Sequence, residues 1–95
     1  MNRNFNRDIC LGYQQIVGAA AATALTVPQG AQFCIITPEV QAIRWRDDGT
    51  NPTAAVGYPL ATGVELVYTG NLATFKLIEQ VASATINIAY YGAGL

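Results

Sequence analysis

The sequence lacks histidine altogether and is poor in charged residues. None of its 95 residues is histidine, and only 12% are Asp, Glu, Lys or Arg. Histidine is the commonest general base and metal ligand, and it is the side chain that titrates near neutral pH. Its absence argues against most acid–base and metal-dependent mechanisms. We therefore expect no enzyme activity, no catalytic residues, no metal and no cofactor.

The other candidate groups for chemistry also lack the context that they would need. Cys10 and Cys34 have no partner base, and Ser83 lies outside the Gly-x-Ser-x-Gly pattern of serine hydrolases. The oxygen-rich segment Asp47–Asn51 departs from the spaced acidic pattern of a calcium loop, and its composition is typical of a turn. The two cysteines are too few for a disulfide framework, and we expect both to be buried thiols, although a pair between them stays open.

The low charge has a second consequence, which concerns assembly. An average globular domain is roughly 25% charged, whereas this chain is 12% charged and 52% hydrophobic. A domain of this length buries only roughly 60–65% of the surface that its unfolded chain exposes. Apolar surface must then be exposed or covered by another subunit, and we expect the second. The chain should form a homo-oligomer and bind a larger partner.

Two classes of partner find no support in the sequence. The net charge is −1, and no run of basic residues is present, so we expect no nucleic-acid binding. The longest apolar stretch, from Ile16 to Val27, is much shorter than the roughly 20 residues that a membrane helix needs. We therefore expect no membrane span and synthesis in the cytosol.

Short apolar segments separated by turn-forming residues predict an all-β fold. We expect a polar N-terminal arm at residues 1–8 and one domain at residues 9–95, an antiparallel β-sandwich or small barrel. The predicted strands are Cys10–Val17, Ala22–Val27, Phe33–Thr37, Val40–Arg46, Val64–Tyr68, Thr74–Gln80 and Thr85–Tyr91. The longest loop should begin at Asp48, and Thr37–Glu39 should separate the third strand from the fourth because proline interrupts a ladder.

Alternation of apolar residues indicates which side chains point inward. Ile86, Ile88 and Tyr90 share one face of the last strand, and Phe75 and Leu77 share one face of the strand before it. The run Phe33–Ile36 is apolar throughout, which is typical of a strand covered on both faces. Thr69–Asn71 predicts a hairpin turn between the fifth and sixth strands.

The segment Arg44–Trp45–Arg46 is the densest cluster of polar and aromatic groups in the chain. On a strand, Trp45 points to one side and both arginines to the other. We expect Trp45 to anchor the core. The arginines have two interpretations of equal weight: they pair with nearby carboxylates on the solvent face, or Arg44 and Arg46 bind carboxylates of a neighbouring subunit.

Two further aromatic residues are candidates for an interface. Phe5 is the single aromatic residue of the N-terminal arm, which can dock on another subunit. Tyr58 is the second candidate. With Tyr90 and Tyr91 it would form an aromatic platform for a carbohydrate or a receptor, although tyrosines packed at strand ends are the commoner arrangement.

Several blocks between Leu25 and Tyr91 carry a resemblance to known proteins. They are Ala42–Thr53 (AIRWRDDGTNPT), Val56–Leu60 (VGYPL), Gly63–Leu66 (GVEL), Tyr68–Leu72 (YTGNL), Phe75–Glu79 (FKLIE) and Ala84–Tyr91 (ATINIAYY). Together they resemble small proteins from the structural gene regions of tailed bacteriophages and prophages. No motif of the family covers the N-terminal arm.

The resemblance implies a β-sandwich component of the virion, and the capsid decoration or cement type is our first expectation. Such proteins bind between major capsid protein subunits as trimers, which we favour here, or as other small homo-oligomers, and a terminal arm often extends across the shell. The protein would then be made in the bacterial cytoplasm and reside in the virion. The alternative is a tail- or fibre-associated carbohydrate- or receptor-binding module.

Overall fold

The computed structural model describes residues 8–94, and these form an all-β sandwich without a helix. Asp8 begins the first strand, so the expected arm otherwise lies outside the described residues. The eight strands are β1 (Asp8–Val17), β2 (Thr23–Ala24), β3 (Phe33–Glu39), β4 (Ile43–Arg46), β5 (Tyr58–Leu60), β6 (Leu66–Tyr68), β7 (Lys76–Glu79) and β8 (Thr85–Ala93). The predicted fold class is therefore confirmed, with one strand more than the expected seven.

The strands form two antiparallel sheets of four strands each. Sheet 1 has the order β1-β8-β3-β6, and sheet 2 has the order β2-β7-β4-β5. Only β4 and β5 are neighbours both along the chain and within a sheet, so the other connections cross between the sheets. The hairpin predicted at Thr69–Asn71 is wrong for this reason, because β6 pairs with β3 while β7 pairs with β2 and β4.

The core lies between the two sheets and is built from the alternating residues that the sequence indicated. Ile86, Ile88 and Tyr90 of sheet 1 are buried, and Phe75 and Leu77 are buried on the side of sheet 2. Burial of such side chains contributes roughly 1.5–3 kcal/mol each. The period-two pattern therefore predicted the inward face of these strands correctly.

Proline does not end the third strand. Pro38 lies within β3, opposite Ile86 of β8, whereas the pairing of β3 with β6 stops at Ile36. Pro38 thus occupies a part of the strand that has one neighbour, where a missing N–H donor is tolerated. The break follows at Val40, whose φ of 73° lies in the left-handed region.

A buried carboxylate links the ends of the two sheets. Glu79, the last residue of β7, accepts hydrogen bonds at Oε1 from the backbone N–H groups of Ala19 (2.9 Å) and Ala84 (3.3 Å). Its own N–H donates to the carbonyl of Ala19 at 2.9 Å. Because both amides lie next to sheet 1 strands, Glu79 holds one end of the sandwich closed.

Candidate functional site

Trp45 lies at the margin of the core in a cluster of four aromatic rings. It is half-buried, and its ring centroid is 5.0 Å from that of Phe75, 4.9 Å from Tyr58 and 5.6 Å from Tyr68. Offset and tilted ring pairs of this kind add stability beyond the burial of area. Its contacts place Trp45 where an anchor would act, although the energetic role stays a prediction.

A partly buried hydrogen bond holds one member of this cluster. The Tyr68 hydroxyl donates to Oδ2 of Asp47 at 2.6 Å, and the same oxygen lies 3.2 Å from the carbonyl of Asn71. Burial, reinforced by the bond to Asp47, raises the pKa of Tyr68 well above its usual value. A Cβ at Gly70 would lie 2.5 Å from the Tyr68 hydroxyl, so glycine is needed where the chain passes it.

The two arginines lie on the outer face of sheet 2, where they bind a loop of their own chain. Nε and NH1 of Arg44 donate to the carbonyls of Ala54 (3.2 Å) and Gly57 (2.8 Å). Arg46 binds the carboxylate of Asp48 through Nε and NH2. This bond to Arg46 holds the pKa of Asp48 below its ordinary value.

A third cation completes this arrangement, because Lys76 Nζ lies 3.1 Å from Oδ1 of Asn51. Lys76 is opposite Arg46 in the ladder and therefore shares its face. The segment from residue 47 to residue 57, which we call the sheet 2 loop, is thus held at four residues by three cations. Gly57, with a φ of 140°, permits this contact, since a Cβ there would lie 3.2 Å from Cβ of Arg44.

These contacts support the first interpretation of the arginines more directly than the second. Arg46 pairs with a nearby carboxylate, and Arg44 pairs with backbone carbonyls. Binding of either arginine to a neighbouring subunit stays a prediction. Phe5 lies outside the described residues, and Tyr58 is 63% exposed at the rim of an open cleft of about 350 Å³ that also touches Arg46.

The platform of three tyrosines does not form. Tyr90 is only 1% exposed because it points into the core, where burial raises its pKa to about 12. Tyr91 lies on the outer face of sheet 1, stacked on Phe33 at 5.3 Å. Tyr58 belongs to sheet 2. Because alternation along β8 points Tyr90 and Tyr91 to opposite faces of sheet 1, the three rings do not share one surface.

The outer face of sheet 1 carries a feature that the sequence did not single out. Ladder register places Tyr13, Ala89, Ile35 and Val67 in one row across all four strands. Residues directly opposite each other in antiparallel strands share a face. A second row beside the first joins Cys10, Tyr91 and Phe33. We call the set of both rows the apolar band: Cys10, Tyr13, Phe33, Ile35, Val67, Ala89 and Tyr91.

Part of the apolar band is exposed to solvent in the described part of the chain. Tyr13 is 63% exposed and Val67 is 52% exposed, while Ile35 in the central strand is half-buried. The band has no charged member. At its edge, Asn87 accepts bonds from Tyr13 and Gln15 and donates to Glu39, which gives the face a polar border.

The cysteines lie on opposite faces of sheet 1 and therefore do not pair. Cys10 is exposed on the outer face, which corrects the expectation that both thiols are buried. Cys34 is fully buried on the inner face, and burial raises its pKa to about 11. One extra residue at the bulge between Cys10 and Gly12 breaks the alternation of side chains along β1, so that Cys10 and Tyr13 share the outer face. The sequence pattern did not reveal this bulge.

Residues 8–94 hold no group of three or more metal-ligating side chains within reach of one ion. In the same range, no helix has the length and hydrophobicity to cross a membrane. Comparison with protein-family models, curated proteins and solved structures gave no match.

Proposed function

We propose that this protein is a non-catalytic structural component that binds a larger protein surface through the apolar band of sheet 1. The observation that carries the proposal is the band itself: seven uncharged residues in two adjacent rows on one sheet face. Contiguous exposed apolar patches mark sites of protein interaction. A protein interface typically combines an apolar centre with a polar rim, and the Asn87 network supplies such a rim at one end.

The particle that we propose is a bacteriophage virion, in which the protein decorates or cements the capsid between major capsid protein subunits as a small homo-oligomer. The support for this part is the resemblance of the blocks between Leu25 and Tyr91 to phage structural proteins. Binding would act by mass action. A protein that binds only the assembled shell stabilises that shell by an amount that grows with the logarithm of its free concentration relative to its dissociation constant.

The mode of binding follows from the geometry of the band. Ile35 lies at its centre, flanked by Ala89 on one side and Val67 on the other. Central apolar residues that lose all contact with water dominate the binding energy of an interface. A charge at Ile35 would be desolvated in the complex without a partner, which costs far more than the same charge at the rim.

The test compares two lysine substitutions on one strand. Ile35→Lys places a charge in the band, and Thr37→Lys places the same charge two residues further along the same face, beside Glu39. Purified shells of the encoding phage are incubated with each protein, sedimented and heated. We expect wild type and Thr37→Lys to bind and raise the rupture temperature, and Ile35→Lys to bind at least tenfold more weakly.

Because Ile35 is half-buried, its variant is also compared by thermal melting, and Val67→Lys on the exposed edge strand repeats the test with less risk to folding. Equal binding of both band variants and wild type would contradict the proposal. So would mass spectrometry of purified particles that fails to find the protein.

A further inference from the structure

The four sheet edges of the sandwich differ strongly in length. The edge strands β2, β5 and β6 have two, three and three residues, and β5 contains Pro59, whereas β1 has ten. An edge strand presents unpaired backbone N–H and C=O groups that can template another strand. Short strands and proline protect three edges, so β1 is the edge that can accept a further strand.

The composition of β1 gives little protection against such pairing. From Ile9 to Val17 it contains no charged residue and no proline, and one bulge follows Cys10. Natural sheets use charges, proline and bulges to prevent pairing at their edges. Beyond the bulge, the ladder from Gly12 to Val17 is regular, so six consecutive residues keep the geometry of an open edge.

The space beside this edge is open in the described part of the chain. The ladder of β1 is formed with β8 alone. The neighbouring segment at Thr26 is joined to β1 through the side chain of Gln14, which accepts from the Thr26 amide at 3.1 Å. Pro28 packs against Gly12, and a cleft of about 330 Å³ opens beside them, lined also by Tyr13 and Thr26. Among the described residues, the backbone hydrogen bonds of residues 9–17 are those of the ladder with β8.

We propose that a second copy of this chain occupies the edge, with the two β1 strands paired antiparallel about a two-fold axis at Gln15. This rests on the proposed assembly function and names the surface by which copies join. An uncharged strand can pair with itself without opposing like charges, which destabilise cross-strand pairs. Pairing must also keep the inner faces of both subunits on the same side of the combined sheet. In the regular part of β1, odd-numbered residues therefore lie opposite odd-numbered residues of the other copy, and even-numbered opposite even-numbered.

An axis at Gln15 pairs residues 13–17 of both copies, which lie within the regular part of β1. It places Tyr13 opposite Val17 of the partner subunit and covers two of the most exposed apolar side chains, at 63% and 74%. Aromatic and β-branched residues are favourable cross-strand partners. Sheet 1 becomes an eight-stranded sheet, and the apolar bands of both copies lie on the same face, where one larger partner can cover them.

The symmetry of this pairing gives a dimer, in place of the trimer that the family resemblance implies. An antiparallel pairing of identical strands is isologous and closes after two copies. Mass measurement in solution by light scattering should therefore give twice the chain mass. A trimer would overturn the proposed pairing.

The first experiment is a disulfide trap in a Cys10→Ser background. Gln15→Cys puts one thiol on each side of the axis, with Cα atoms about 4.5–5.5 Å apart, within the range of a disulfide. The matched control is Thr37→Cys, which lies in the same ladder row two strands further from the edge. We expect mild oxidation to convert most of the Gln15→Cys protein to a covalent dimer and to leave Thr37→Cys uncrosslinked.

The second experiment reverses the charge at the axis. Gln15→Lys and Gln15→Glu each oppose two like charges, and we expect the dissociation constant of each dimer to rise up to about fivefold. Mixing the two variants pairs Lys with Glu and should restore dimerisation to the wild-type level. No gain on mixing would overturn the pairing.

The outcomes separate this inference from the proposed function. A chain that stays monomeric at millimolar concentration while shells still bind it overturns the edge pairing and leaves the apolar band intact. Oligomers in which Thr37→Cys crosslinks and Gln15→Cys does not would show self-assembly through the face of sheet 1, and would also overturn the pairing at β1.

Discussion

The outer faces of the two sheets are covered in opposite ways. On sheet 2, the three cations of residues 8–94 bind the chain's own loop, with Arg44, Arg46 and Lys76 holding it at four residues. On sheet 1, the apolar band carries no charge and includes the exposed side chains of Tyr13 and Val67. A chain with 12% charged residues has too few to solvate both faces. One face is thus covered within the subunit, and the other leaves apolar side chains exposed in the described residues, as the proposed interface requires.

This difference predicts two kinds of mutational effect. Changes beneath or within the sheet 2 face should alter the free energy of unfolding, because the contacts there are intramolecular. Changes in the apolar band should alter association with little effect on folding, as the Ile35→Lys experiment tests.

Trp45→Ala should have the largest effect. It removes a half-buried indole that stacks on Phe75 and Tyr58 beneath the sheet 2 loop. We expect a loss of about 3 kcal/mol in the free energy of unfolding, at the lower end for a large aromatic residue. Urea denaturation followed by circular dichroism measures it. Tyr58→Ala, at the exposed end of the cluster, is the control and should cost much less.

Arg44→Ala should destabilise the subunit by about 1–2 kcal/mol, because it leaves two backbone carbonyls of the sheet 2 loop without their charged donor. Thermal melting and limited proteolysis within the loop are the measurements. Arg44→Lys is the matched control: it keeps the charge but cannot reach both carbonyls with a planar group. An unchanged melting temperature with weakened association would instead establish the interface role predicted from the sequence.

Val40→Gly should stabilise the protein by about 1 kcal/mol. Val40 connects the two sheets with a positive φ that a β-branched residue adopts only at a cost. Its side chain is 64% exposed, so little packing is lost on removal. A rise in melting temperature of about 4–8 °C is expected for a domain of this size. Val81→Gly, also exposed but without a positive φ, is the control and should not stabilise.

The pair Arg46–Asp48 should give the smallest effect, and it should depend on pH. The bond to Arg46 lowers the pKa of Asp48 in the folded state, so its contribution is complete at neutral pH and is lost as pH falls through that lowered pKa. Asp48→Asn should therefore melt slightly below wild type at neutral pH, and the difference should vanish in acid. A difference that grows with acidification would contradict this assignment.

The strands that were predicted well are those with clear alternation. The inward residues of β7 and β8 followed directly from period two, because a one-residue slip would expose every core side chain. The prediction failed at β5, which was assigned to the longest loop. Tyr58–Leu60 is short and contains a proline, and only its pairing with β4 makes it a strand. Such pairing depends on partners distant in sequence and leaves no local pattern.

The candidate site was likewise predicted from the sequence only in part. The sequence indicated that Trp45 and the two arginines lie on opposite sides of one strand, since that depends only on the geometry of a strand. It did not reveal the apolar band, whose residues come from four strands. Each residue has an ordinary local context, and their adjacency exists only in the assembled sheet.

By itself, the sequence determined that this is a charge-poor all-β domain with an alternating core, because composition and periodicity are local quantities. The tertiary structure decided which face is closed and which is open. That choice depends on the register that aligns Tyr13, Ala89, Ile35 and Val67, and on the loop that reaches Arg44 and Lys76. The register arises from strand pairing within sheet 1, and the loop contacts arise where the chain folds back on sheet 2; neither leaves a pattern in the local sequence.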